Sequence, residues 1–176
     1  MATDRITIEY SGDDVVAALT RLYKGLGPAG LRTPLSDIGE HLAESTRQRF
    51  VSSTAPDGSR WAPNAQATYL GLLRSRDARK DGRINARGTA KVAGKKPLVA
   101  SGLLGEQITY QLLPDGSGVE VGTNRFAGEW AGGAAVHQFG SRDGSIPARP
   151  FLGLSSDDEV EVMEIVDRYL AGLLGA

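Results

Sequence analysis

The stretch ITYQLLPDGSGVEVGTN, residues 108–124, constrains the fold more than any other part of the chain. Ile108, Tyr110 and Leu112 alternate, PDGSG supplies a turn, and Val119, Val121 and Thr123 alternate back. Period-two patterning on both sides of a glycine-bearing turn predicts an antiparallel hairpin with one apolar face. A face of that kind has to be covered, and the rest of the sequence offers helices to cover it.

Ser11 is placed to cap a first helix, in which Val15, Leu19, Leu22 and Leu26 recur at helical spacing before GLGPAG stops it. The next reads as capped by Thr33, with Pro34 at its first helical position and a stripe of Leu35, Ile38, Leu42 and Phe50 running to about Val51. PDGSRWAP, residues 56–63, is turn chemistry around Trp61, and a shorter helix is expected over 65–74. Ser101 is expected to cap the return to order after Pro97. Ser156 and Glu159 form a capping box, followed by an apolar stripe of Val162, Met163, Val166, Tyr169, Leu170 and Leu173. RITIEY reads as a short strand through Ile6 and Ile8, and AGEWAGGAA, residues 127–135, as a loop anchored by Trp130. The expected class is α+β: three to four helices packed on a small antiparallel sheet, in one domain spanning 1–176.

One segment breaks the pattern. From Arg76 to Pro97 there is no apolar periodicity, so a flexible basic loop is expected at about 76–97. Arg74, Arg76, Arg79, Lys80, Arg83, Arg87, Lys91, Lys95 and Lys96 face only Asp77 and Asp81 there, while the remaining chain carries 11 basic and 19 acidic residues. A net charge of −1 thus conceals a basic arm on an acidic body. The arm reads either as a solvated surface or as a contact for DNA phosphates or an acidic protein. It has no aromatic residue for stacking on bases, so any nucleic-acid contact would be nonspecific.

Few residues of the chain suit catalysis or metal binding. No cysteine is present, which removes disulfides, thiolate metal sites and cysteine nucleophiles, and only His41 and His137 could serve as imidazole ligands. GTAKVAGKK fails as a phosphate loop, because five residues separate Gly88 from Gly94 and Lys95 precedes another lysine instead of a hydroxyl. Ser117 and Ser145 sit in turn sequences that lack the nucleophile-elbow glycines. His137 lies in AVHQFG, where Val136 and Phe139 read as buried, so the imidazole is expected to be structural or interfacial. The acids from Asp157 to Asp167 read as a solvated helix face, with an acidic docking face as the alternative. No catalytic residue, metal site or cofactor is expected. MATDRITIEY shows no signal pattern and no apolar run reaches 18 residues, which points to a cytosolic product with no membrane partner.

HQFGSRDGSIPARPFLGLSSDD, preceded by VASGLLGEQITY and VEVGTN and earlier by RF and PDGSRWAP, resembles the virion morphogenesis and tail completion proteins of tailed bacteriophages, a family found in Mu-like phages. The most specific match is HQFG followed by IPARPFLGLS; the basic arm has no residue-by-residue counterpart. The resemblance implies a non-enzymatic protein of the virion neck, assembled in the host cytoplasm. It also implies a homo-oligomeric ring, commonly a hexamer, with portal-side connector and tail tube proteins as partners and packaged DNA passing nearby. A tail terminator ring, or a capsid-assembly or DNA-binding factor, is the alternative. His137, Phe139, Ile146, Pro147, Arg149, Pro150 and Phe151 are then the expected subunit interface. Arg149, held between two prolines, would bridge to the acidic helix of a neighbour, or else the same proline-stiffened loop closes its own core.

Overall fold

The computed structural model describes residues 13–123 and 133–174. The expected strand at Ile6 and Ile8, the cap at Ser11 and the anchor at Trp130 lie outside the described residues. Seven helices and one two-stranded antiparallel sheet make up the rest, so the class is α+β with more helices than the three to four expected.

Helix α1 (Asp13–Gly25) leads almost directly into α2 (Pro28–Ser52), the longest element. The start of α2 corrects the sequence reading by six residues. Gly27 takes the extended cap conformation and Pro28 fills the first turn, where its fixed φ fits and its missing N–H costs nothing. Pro34 therefore sits inside the helix. It has no N–H to give the Gly30 carbonyl one turn back. Tyr169 Oη compensates, lying 2.9 Å from both the Gly30 and the Gly25 carbonyls and donating its proton between them.

The expected hairpin forms. Strands β1 (Thr109–Leu112) and β2 (Val119–Gly122) pair Tyr110 with Val121 and Leu112 with Val119. Gly116, at φ 71°, closes the turn by donating to the Leu113 carbonyl. The hairpin lies on α2 at Gly39, where a Cβ would come within 2.4 Å of the Tyr110 ring. Tyr110 Oη also reaches Ser36 Oγ at 2.8 Å. Phe50, Trp61 and Phe151 form the aromatic centre of the core, with ring centroids 5.3 and 5.4 Å from Phe50. Ala43, Ala55, Leu104 and Ile108 close round it. Leu104 belongs to the single-turn α5 (Leu103–Glu106), where Gly102 takes the cap position and the expected Ser101, one residue earlier, accepts from Leu103 N–H at 3.5 Å.

Helix α7 (Ser156–Leu174) packs on α1 and α2. Its cap lies one residue before the expected one: Ser155 Oγ accepts from Asp158 N–H, and the Asp158 carboxylate accepts from Ser155 N–H and Oγ. Among the described residues no helix is long and apolar enough to cross a membrane.

The segment expected to be a loop is built. Helix α3 (Gln66–Leu72), a 3-10 turn (Ser75–Asp77) and α4 (Ala86–Ala93) pack on one another, not on the α1–α2–α7 layer. Asn85 caps α4 through Gly88 N–H, and Ala78 pairs with Ile84 across a tight turn. At the other end of the chain, α6 (Gly133–Phe139) takes up residues expected to finish a loop.

Candidate functional site

The joint from α6 to α7 is held by polar side chains that bind backbone. Gln138 acts as a clamp: Oε1 accepts from Phe151 and Leu152 N–H, each at 3.0 Å, while Nε2 donates to the Leu152 carbonyl. Arg149 N–H donates to the His137 carbonyl, and its guanidinium donates to the carbonyls of Ala62 and Pro63 at 2.8 and 2.7 Å. Trp61 Nε1 reaches the Pro150 carbonyl at 2.7 Å. Arg49, reaching from α2, donates to the carbonyls of Phe151 and Gly153 and to the Asp158 carboxylate.

Asp158 is the hub on the α7 side, 2% exposed. Burial alone would raise its pKa. The Ser45 and Ser155 hydroxyls, the Ser155 N–H and the Arg49 charge outweigh it and hold the carboxyl below the ordinary aspartate value. His41 Nε2 approaches its other oxygen at 3.1 Å. A buried ion pair saturated with further hydrogen bonds is costly to break from one side, so this cluster fixes the angle between α2 and the joint.

Three expectations about the joint change. Phe151, expected at a subunit interface, is 1% exposed and belongs to the subunit's own core. Arg149 is buried too, and its partners are carbonyls of its own chain, so it is not free to bridge to an acidic neighbour. The prolines on either side keep the segment extended and aim the guanidinium inward. Phe139, expected to be buried, is 78% exposed, because the helix it ends turns that face outward. Ile146 and Pro150 are half-buried and Pro147 is exposed.

His137 Nδ1 is buried and has no partner among the described residues. Burial first, then the Arg149 charge, lower its pKa and favour the neutral ring. Asp143 is pulled down to about 2 by the Ser141 hydroxyl and by the N–H and hydroxyl of Ser145. The turn SRDGS is thus tied by one carboxylate, and Asp115 holds Ser117 in the hairpin turn the same way. Among the described residues no three histidine or acidic side chains converge as a metal site.

The basic arm is organised round a second buried carboxylate. Asp77, 1% exposed, accepts from Lys91 Nζ and Arg74 N–H, with Arg87 Nε 3.5 Å away. The Lys91 hydrogen bond is the largest influence keeping its pKa low; the Arg74 N–H follows, burial opposes, and both cationic charges add. A Cβ at Gly88 would meet the Asp77 carbonyl at 2.6 Å, so the glycine lets α4 close over the hub. Lys95 and Lys96 bind the carbonyls of Val99 and Val51. Arg76, Arg79, Lys80 and Arg83 remain exposed, with no side-chain ion pair or hydrogen bond among the described residues.

A model of the phage virion morphogenesis family matches residues 11–171. This chain belongs to that family. Within it, tail completion protein S of Escherichia phage P2 is 29% identical over 160 residues, which cover 86% of this chain and 92% of that protein. A second likeness, to Mu-like prophage FluMu G protein 2 of Haemophilus influenzae, is 44% identical over 46 residues but spans only 23% of this chain and 33% of that protein. No solved structure matches the chain. The family's structural role in tail assembly agrees with a joint whose polar groups bind backbone.

Sequence reasoning missed the three residues that organise the site: Arg49, Gln138 and Asp158. Two of them left a signal. Arg49 lies seven residues after Leu42 on the apolar stripe of α2, and Asp158 lies four before Val162 on that of α7. A charge on a buried stripe calls for a partner on the facing helix.

Proposed function

We propose that this chain is a structural protein of the head–tail neck, forming a ring of six copies that completes the tail and joins it to the DNA-filled head. The observation that carries the reading is the likeness to a tail completion protein over nearly the whole of both chains. The site supports it. Gln138, Arg49, Arg149 and Asp158 spend their hydrogen bonds inside the subunit, leaving a rigid joint that presents Phe139 outward. An exposed aromatic beside a stiff segment suits an interface anchor, and the role involves no catalytic step.

The deciding experiment locates the chain in intact particles by electron cryo-microscopy, alongside particles made without it. The expected result is a ring between portal and tail, with filled heads and finished tails accumulating unjoined in its absence. A chain found only at the tip of head-free tails would make it a terminator. One confined to capsid-assembly intermediates, or a hydrolytic turnover abolished by His137→Ala, would overturn the neck reading.

A further inference from the structure

Two exposed surfaces on this chain match each other and do not meet within the subunit. The first is the tip of the basic arm. Ala78 pairs with Ile84, and Arg79 N–H donates to the Arg83 carbonyl at 2.7 Å, so Arg79, Lys80 and Arg83 project from a fixed turn around the exposed Ile84. The second is the outer face of α7. Val160, Met163, Glu164 and Asp167 fall at helical spacings of three, four and seven, with Glu159 adjoining, and all five are exposed. Glu164 is held loosely by Arg168 at 3.6 Å; Glu159 and Asp167 have no side-chain partner among the described residues. Each surface combines exposed apolar side chains with exposed charges, and the charges are of opposite sign.

We propose that the arm tip of one subunit docks on the α7 face of the next copy of this chain. The inference rests on the ring reading above and names the contact that closes the ring. Three features favour a second copy over DNA. Ile84 at the centre of the tip has nothing to bury against a phosphate backbone, whereas Val160 and Met163 offer an apolar counterpart. The complementary acids are on the same chain. And the two surfaces sit on different elements, the arm packing on itself and α7 on α1 and α2, so one copy can use its tip on one neighbour and its α7 face on another, the head-to-tail arrangement that a ring needs. The bonds of Arg79 N–H to the Arg83 carbonyl and of Gly82 N–H to the Arg79 carbonyl fix the turn beforehand, which lowers the ordering cost of docking.

The test uses charge reversal on each surface of the full chain, with assembly read by sedimentation velocity and native mass spectrometry. Arg79→Glu with Lys80→Glu and Arg83→Glu should weaken ring formation about tenfold or more, and so should Glu159→Lys with Glu164→Lys and Asp167→Lys. Mixing the two reversed proteins should restore rings in which they alternate, since each then presents what the other lacks; the rescue also shows that both are folded. Wild-type rings that both variants also form would overturn the contact alone. Intact rings from the tip variant with loss of DNA retention in particles would transfer the tip to DNA and overturn it too. A wild-type chain that forms no ring in solution or on isolated tails removes the ring reading and this contact with it.

Discussion

At the scale of single residues, the joint depends on buried charges that are correct only as sets. Asp158→Asn keeps the shape of the side chain and removes the charge facing Arg49, leaving a buried guanidinium without its counter-ion. The expected loss is about 3–5 kcal/mol, measured as a shift in urea midpoint at unchanged slope. A loss below about 1 kcal/mol would mean that the carbonyls of Phe151 and Gly153 suffice for Arg49. His137 carries a pH dependence whose sign follows from its environment. Its folded pKa lies below the ordinary 6.5, so below that pH the unfolded chain binds the proton first. Stability is full above about 6.5 and falls as the pH drops through the window beneath it. His137→Gln should flatten the unfolding free energy below about pH 6.5, and an unchanged slope would show that the imidazole is solvated.

Among elements, α2 shows a defect and its repair. Pro34 withholds the hydrogen bond that Gly30 would otherwise receive, and Tyr169 supplies one from α7. Tyr169→Phe should cost about 1–2 kcal/mol in the native background. In a Pro34→Ala background residue 34 regains its N–H, so the same substitution should cost measurably less; a double-mutant cycle reads the difference, and strict additivity would refute the coupling. This pairing also shows what could be read ahead of the structure. The hairpin at Tyr110–Val121, the body of α2 and the long C-terminal helix follow from periodicity, which reports which face of one element is apolar. Pro34 read as a helix start because local rules place proline there, and the phenol that permits it in the interior lies 135 residues away in sequence. Phe139 and Phe151 are the same residue type twelve positions apart, yet one faces outward and the other fills the core, where Gln138 clamps the Phe151 backbone. The order in the basic arm was hidden similarly, since Asp77 is one acid among many cations until the turn buries it.

For the whole molecule, the consequence is a body and an arm that are stabilised separately. The arm packs on its own elements round Asp77, while the core is centred on Phe50, Trp61 and Phe151. Asp77→Ala should therefore raise amide exchange across residues 75–93 and leave exchange in α2, α7 and the hairpin unchanged. Simultaneous loss of protection in both would show one cooperative unit. The arginines of the joint have a different consequence, for descent. Arg49 and Arg149 grip carbonyl oxygens of Ala62, Pro63, Phe151 and Gly153, and a carbonyl is supplied by any residue type. Lineages can therefore exchange the side chains at 62 and 63 while retaining the same joint. The two guanidiniums cannot be exchanged so freely, because lysine lacks their planar fork. A saturation library scored for plaque formation should show narrow tolerance at 49 and 149 beside broad tolerance at 62 and 63, a pattern by which distant members could diverge in sequence without redesigning how the joint is held.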